Sequence, residues 1–203
     1  MDKILLIGSG GHARSCIDVI ESANQFEIAG LIEKDEDMTN VDLGYPIIGA
    51  DEDLSDLRQQ YSHALIAIGQ IKSPKIRIKL YQLLIELNFT LPVIISPKAY
   101  VSKRAQIGEG SIVMHGAIIN ANSKIGGNSI INTRALIEHD TVIGDHCHIA
   151  TGAIINGEVS VGNETFIGSG VVTKQCISIG SNCIVGAGVN LISNVEPNQV
   201  IKI

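Results

Sequence analysis

Aromatic side chains are scarce in this sequence, which contains three Phe, four Tyr and no Trp. Apolar residues still make up 45% of the chain, so a core can form, but Ile, Val, Leu and Ala must fill it. This scarcity argues against ordinary sandwiches and helical bundles. A repetitive, uniform interior is expected instead, and the 21 glycines agree with many tight turns.

Further absences exclude whole classes of partner. The formal charge of −6 gives no basic footprint for nucleic acid, and no apolar run approaches the roughly 18 residues of a membrane-spanning helix. The N-terminus enters a strand pattern without a signal peptide. The four cysteines include no CxxC pair, so reduced thiols are expected. We therefore expect a soluble, cytoplasmic protein that binds neither nucleic acid nor membrane.

Composition divides the chain near residue 98. Residues 1–98 contain 23 charged residues, whereas residues 99–195 contain 11 charged residues and 14 of the glycines. In the first part, strand-like and helix-like stretches alternate, at 3–7, 11–23, 27–32, 64–68 and 74–87. This alternation predicts an α/β domain over residues 1–98, half a Rossmann fold in size, with a small, doubly wound parallel sheet.

The second part repeats every six residues from residue 99 to residue 194, without an insertion. The third position is Ile, Val or Leu in 15 of 16 units, and the fourth is Gly in seven. One unit is a short strand and a turn, with the third residue pointing inward and Gly or Asn at the fourth suiting the backbone of the turn. Three units close one triangular coil, so residues 99–203 are predicted to form a parallel β-helix of stacked hexapeptide repeats.

The loop GSGGHA at residues 8–13 lies between the first strand and the first helix. It fits GxGxxA, and Glu33 follows near the distance of a ribose-binding acid. A dinucleotide dehydrogenase is one interpretation, but about 95 residues make only half a dinucleotide fold. A nucleotide-linked small molecule therefore fits better, with a bare βα turn as the alternative. A second glycine turn, at Gly69, should meet the first at one sheet edge.

Two histidines, His139 and His148, are placed by the repeat phase on the outer wall of the third coil. His139 is flanked by Glu138 and Asp140, and a carboxylate bonded to one imidazole nitrogen raises the basicity of the other. His139 is therefore the candidate general base, with a solvated surface histidine as the alternative. Cys147 occupies a first, inward position, as does Cys183, and both are expected to be structural.

Taken together, GSGGHA, the AIG turn at residues 67–69 and a hexapeptide helix containing IEHD and HIATGA resemble the bacterial sugar acetyltransferases of surface-glycan synthesis. The resemblance implies a left-handed β-helix and a homotrimer with active sites between subunits. It also implies acetyl-CoA as co-substrate and a nucleotide-linked amino-sugar, typically a 4-amino-4,6-dideoxy sugar, as acceptor. O-acetylation of sialic acid is the alternative within this group, and a non-catalytic trimeric scaffold is the alternative outside it.

The resemblance also assigns roles to positions. His139 matches the base and Asp140 its acidic neighbour. The positions that match nucleotide-sugar contacts are Gly10, Gly11, His12, Glu33, Lys34 and Gly69. The positions that match acetyl-CoA contacts are His148, Gly157, Ser169 and Ala187.

Two departures from relatives accompany this match. Glu33 and Lys34 replace a common Asp-Asp pair, and the chain ends SNVEPNQVIKI without the GxPAK-like segment that helps to hold the coenzyme. Zinc enzymes of the same fold use a histidine pair five residues apart. The separations among His139, His146 and His148 are 7, 9 and 2, so no metal is expected.

Overall fold

The computed structural model describes residues 1–33 and 43–202. Over these residues, the first domain contains four strands in one parallel sheet, which we name sheet A. They are β1 (Asp2–Ile7), β2 (Phe26–Ile32), β3 (Ile47–Gly49) and β4 (His63–Ile66). The strand order is β3-β2-β1-β4. The helices are α1 (Gly11–Ala23), α2 (Leu54–Leu57) and α3 (Lys75–Glu86), and a 3₁₀ turn covers Asp51–Asp53.

Both faces of this sheet are covered, which confirms the doubly wound prediction. Leu6 on β1 packs with Ile20 of α1 on one face. Its neighbour Leu5 points the opposite way and packs with Leu84 of α3 on the other. A continuous apolar run is the expected sequence of a strand buried on both sides.

The second domain is a left-handed parallel β-helix, as predicted. Its two-residue strands are β5 (Ile94–Ile95), β6 (Tyr100–Val101), β7 (Gln106–Ile107), β8 (Ile112–Val113), β9 (Ile118–Ile119), β10 (Lys124–Ile125), β11 (Ile130–Ile131), β12 (Leu136–Ile137), β13 (Val142–Ile143), β14 (His148–Ile149), β15 (Ile154–Ile155), β16 (Ser160–Val161), β17 (Phe166–Ile167), β18 (Val172–Thr173), β19 (Ser178–Ile179), β20 (Ile184–Val185), β21 (Asn190–Leu191) and β22 (Val200–Ile201).

These strands stack into three sheets, one for each wall of the prism. We name these walls sheets B, C and D. The strand order is β22-β20-β17-β14-β11-β8-β5 in sheet B, β21-β18-β15-β12-β9-β6 in sheet C and β19-β16-β13-β10-β7 in sheet D. Ile94–Ile95 already pairs with Ile112–Val113 in sheet B. The coils thus start just ahead of residue 98, which we keep as the proposed domain boundary.

The interior is aliphatic, and its corners are filled by small residues. Cys147 and Cys183 are fully buried in one corner column. The thiol of Cys147 points to the Gly162 carbonyl oxygen at 3.2 Å, and the hydroxyl of Thr165, between them in the column, donates to the Gly180 carbonyl at 2.8 Å. Both cysteines therefore fill space and satisfy carbonyl groups within the solenoid.

The glycines at the fourth position have a different cause from the one that the sequence suggested. A Cβ on Gly126 would lie 2.5 Å from the backbone nitrogen of Asp145 on the next coil. Close stacking of coils, not turn geometry, therefore requires glycine there. The left-handed backbone occurs at the sixth position instead, where Asn128, Asp140 and His146 have φ values of 50°, 59° and 57°.

The first domain docks on the outer wall of sheet B. Ile112 and Ile130, on that wall, are fully buried in one cluster with Ile17 and Ile20 of α1. Beside this cluster, His115 Nε2 lies 2.7 Å from the Asp18 carboxylate of α1. Among the described residues, no helix is long and apolar enough to cross a bilayer.

Candidate functional site

The two glycine turns border a cavity of about 530 Å³ at the carboxyl edge of the first sheet. Its lining residues are Gly8, Ser9, Gly10, Gly11, His12, Glu33, Ala67, Ile68, Gly69 and Ile71. The size is typical of a small-molecule site. Five of the six positions predicted for the nucleotide-sugar are thus brought together, and the sixth, Lys34, lies outside the described residues.

Two features shape the first loop. Gly8 has φ +108°, and a Cβ there would lie 2.6 Å from the Ile68 side chain, so only glycine lets the two turns approach each other. The Ser9 backbone N–H and hydroxyl both donate to Glu33 Oε2, at 3.0 and 2.8 Å. Helix α1 begins at Gly11 without a side-chain cap. The Ala13 N–H donates to the Gly10 carbonyl at 3.0 Å, so the N–H groups of Gly11 and His12 are the ones that face an anion at this terminus.

Behind this cavity lies a buried cation, Arg77, at the start of α3. Its guanidinium donates to the carbonyl oxygens of Ile66 (2.9 Å) and Ile68 (2.6 Å) and to Asn128 Oδ1 (2.6 Å). No carboxylate pairs with it among the described residues. Burial first, then the charge of Arg77, lowers the pKa of His12 to about 3, so the His12 imidazole is neutral.

The side chain of His148 points outward from sheet B, as its position in the repeat predicts, but the first domain covers it. It is 6% exposed. Its Nδ1–H donates to the Gln70 carbonyl at 2.5 Å, and its Nε2 accepts from the Asn132 amide at 3.1 Å. Burial lowers the pKa of His148 to about 4. The ring is therefore neutral with both nitrogens engaged, and a contact with a thioester requires exchange of one of these bonds.

His139 and Asp140 lie together at the corner between sheets C and D. His139 Nδ1 is 2.8 Å from Asp140 Oδ2, and both side chains are about half exposed. This hydrogen bond raises the pKa of His139 above its usual value. The Asn122 amide donates to Asp140 Oδ1 at 3.2 Å, which holds the carboxylate toward the ring. Nε2 of His139 makes no hydrogen bond to any described residue, so it can accept a proton.

The predicted coenzyme positions fall at two different corners. Gly157 stacks on His139 in the next coil, and a Cβ there would lie 2.9 Å from Nε2 of His139. Ser169 and Ala187 are exposed and follow strands of sheet B, at the corner between sheets B and C. Sheet C therefore separates His139 and Gly157 from the other two positions. The first domain with its cavity docks on sheet B, the wall opposite the corner that carries His139.

Three residues that shape the candidate site could not be found from the sequence. Arg77 and Asn132 stand in no motif, and Gln70 is marked only by following Gly69. Their roles arise from contacts between segments far apart in the chain, such as the 78 residues that separate Gln70 from His148. Within residues 1–33 and 43–202, no three His, Cys, Asp or Glu residues gather as metal ligands.

Family profiles match most of the chain. The profile described as the PglD N-terminal domain matches residues 3–84. The bacterial transferase hexapeptide profile matches residues 122–157, and the profile for the hexapeptide repeat of succinyl-transferase matches residues 158–192. No curated protein sequence matches the chain.

Solved structures match nearly its whole length. A His-to-Asn variant of perosamine N-acetyltransferase from Caulobacter crescentus, in complex with CoA and GDP-perosamine, is 34% identical with a TM-score of 0.91, over 98% of this chain and 93% of that one. The acetyltransferase domain of PglB from Neisseria gonorrhoeae FA1090, with acetyl coenzyme A, is 29% identical with a TM-score of 0.89, over 98% and 94%. WeeI from Acinetobacter baumannii AYE is 25% identical with a TM-score of 0.85, over 100% and 97%. The protein therefore belongs to the acetyl-CoA-dependent sugar acetyltransferases of the hexapeptide-repeat superfamily.

Proposed function

We propose that this protein acts in the cytoplasm and transfers the acetyl group of acetyl-CoA to the amine of a nucleotide-linked amino-sugar, typically a 4-amino-4,6-dideoxy sugar. The observation that carries the proposal is the exposed His139–Asp140 pair, a basic imidazole nitrogen open to a substrate. The perosamine enzyme bound to CoA and GDP-perosamine supports both substrate classes.

The reaction is a direct transfer. As the sugar amine attacks the thioester carbonyl carbon, Nε2 of His139 accepts a proton from the amine nitrogen. Backbone N–H groups stabilise the oxyanion. The C–S bond then breaks, the amide is complete, and the proton on His139 passes to the departing CoA thiolate. Asp140 stabilises the imidazolium between these two steps.

The cavity between the glycine turns is the proposed nucleotide site. Gly10 and Gly11 leave open space where side chains would otherwise project, since a Cβ on either meets nothing within 4 Å. The N-terminus of α1 and the unpaired charge of Arg77 both favour phosphate groups. His12 is neutral, and its Nε2 has no hydrogen-bond partner among the described residues, so this nitrogen can form a hydrogen bond with the ligand. Glu33 and Gly69 line the rest of the cavity wall.

The proposed coenzyme path runs past His139 over Gly157, where the missing Cβ leaves a shallow cradle for the pantetheine arm. Ser169 and Ala187 line its continuation through backbone groups. His148 contributes indirectly: its hydrogen bond to the Gln70 carbonyl holds the second glycine turn against the coils of sheet B. The thioester of bound acetyl-CoA supplies the activated acyl group.

A homotrimer unites these parts. The outer wall of sheet C carries a stripe of apolar residues that are exposed or partly exposed, namely Tyr100, Ile118, Leu136, Ile154 and Val172. Such a stripe suits burial against copies of the same chain. If sheet C faces the threefold axis, the His139 corner of one subunit meets the corner of its neighbour that carries Ser169 and Ala187, at the edge of the wall on which the first domain docks.

The acceptor is tested with a panel of UDP-, GDP- and dTDP-linked 4-amino-sugars and free sialic acid, each incubated with acetyl-CoA and followed by thiol release. We expect release with at least one nucleotide-linked amine and an amide product by mass spectrometry. Release with sialic acid alone would make the protein an O-acetyltransferase. If no acceptor caused release of the CoA thiol, the proposed activity would be wrong and the non-catalytic scaffold would be favoured.

A further inference from the structure

A groove on the outer wall of sheet D lies directly beside the His139–Asp140 pair. It has a volume of about 370 Å³ and is lined by Arg104, Gln106, Asn122, Lys124, Asp140 and Val142. Lys124 pairs in register with Gln106 on one side and Val142 on the other. The groove therefore crosses three neighbouring coils and ends at the partner of the proposed base.

This groove presents two cations without counter-ions. Arg104 and Lys124 are exposed, and neither side chain forms an ion pair within residues 1–33 and 43–202. Asp140, the carboxylate that lines the groove, is already engaged, since Oδ2 is bonded to His139 and Oδ1 to Asn122. Nothing in the fold requires positive charge here, because the core lies on the other side of the wall.

The position of the groove assigns it to the acceptor side of the reaction. Gly157, in the proposed coenzyme path, lies on the coil that follows His139. Arg104 and Asn122 belong to the two coils that precede it, on the same corner as Asp140. A group in the groove thus reaches His139 from the side opposite to the coenzyme.

We propose that Arg104 and Lys124 form a subsite for an anionic group of the acceptor, either a phosphate of the nucleoside diphosphate or a sugar carboxylate. The inference rests on the proposed function. A guanidinium matches the paired oxygens of phosphate and carboxylate, and an ammonium adds a point charge. The amides of Gln106 and Asn122 supply further donors. Because the anion is joined to the sugar ring that carries the reacting amine, holding it also orients the amine toward His139.

The test compares Arg104→Gln, Lys124→Gln and the double variant with wild type, using a nucleotide-linked 4-amino-sugar and the same amino-sugar as its uncharged methyl glycoside. Lys3→Gln, on the far end of β1, is the matched control. We expect the KM of the charged acceptor to rise about tenfold or more for each lost charge-assisted bond. The KM of acetyl-CoA, the methyl glycoside kinetics, the oligomer mass and the Lys3→Gln enzyme should stay as in wild type.

Each other outcome is decisive. An unchanged KM for both charged acceptors, the nucleotide-linked amine and free sialic acid, would overturn the subsite. So would an equal rise for the methyl glycoside, a rise confined to acetyl-CoA or a loss of the oligomer. A rise confined to sialic acid identifies a carboxylate, and a rise confined to the nucleotide-linked amine identifies a phosphate. Failure of the proposed function is distinct, because wild type would then transfer no acetyl group to any acceptor.

Discussion

His139 gains its basicity from a backbone conformation that its neighbour adopts. Asp140 occupies the sixth position of its unit with φ 59°, a left-handed conformation that Asp tolerates better than most residues. That geometry turns the carboxylate back to Nδ1 of the preceding histidine, 2.8 Å away. The coil corner therefore builds the pair from two adjacent residues.

Replacing this carboxylate should move the pH dependence of catalysis. The base acts when unprotonated, and the hydrogen bond that Nδ1–H of His139 donates to Asp140 is the largest cause that raises the pKa of His139. In Asp140→Asn that pKa falls, so the acid limb of the kcat/KM profile moves to lower pH, and the plateau rate drops because the base is weaker. The profile is measured by thiol release between about pH 5 and pH 9, the span over which histidine titrates.

Glu158→Gln is the matched control, since Glu158 raises the same pKa through space and is the smallest of the causes. Its acid limb should move less than that of Asp140→Asn. An acid limb that stays in place or moves to higher pH in Asp140→Asn would contradict the pairing of the two residues.

The sequence could predict the outward placement of His139 and its pairing with Asp140, but not the buried, neutral state of His148. The flanking acids and the repeat phase of His139 are local, so they are visible in the chain. The burial of His148 depends on Gln70 and Phe166, whose ring lies 5.2 Å away, and on a domain contact that no local pattern encodes.

At the scale of elements, stacking of coils is the constraint that shapes the hexads. Strand positions could be predicted because the third residue must be aliphatic and inward, and fifteen of sixteen units obey that rule. The reason for glycine at the fourth position could not be predicted, because the atoms that exclude a Cβ belong to the next coil. The short elements β3 and α2 escaped prediction since three or four residues show no periodicity.

Gly126→Ala tests this constraint. The added Cβ would lie 2.5 Å from the Asp145 nitrogen, so the coils must move apart, at a cost of about 1–3 kcal/mol typical of overpacking. We expect a lower melting temperature by circular dichroism. Gly11→Ala, where the Cβ meets nothing within 4 Å, should melt like wild type, and equal melting of both variants would contradict coil stacking as the cause.

At the scale of the whole molecule, one subunit holds the parts of the proposed site on different walls of the prism, which favours a site shared between subunits. The His139 corner lies between sheets C and D, whereas the nucleotide cavity lies over sheet B, the third wall, and is fixed there by contacts of Gln70 and Arg77 with the coils. In the proposed homotrimer, the docked first domain therefore presents its ligand to the neighbouring subunit. The division into two domains was readable from composition, whereas this separation required the relative placement of the domains.

Subunit mixing tests the account most directly. His139→Ala lacks the base, and Gly10→Phe fills the nucleotide cavity, so each variant alone should lose about a hundredfold or more of the acetylation rate while keeping its circular dichroism spectrum. Co-expressed at equal levels, the two should recover about a quarter of wild-type thiol release, because random assembly joins an intact corner to an intact cavity in that share of the sites. No recovery on mixing, or near-normal turnover by His139→Ala alone, would contradict a site shared between subunits with His139 as its base.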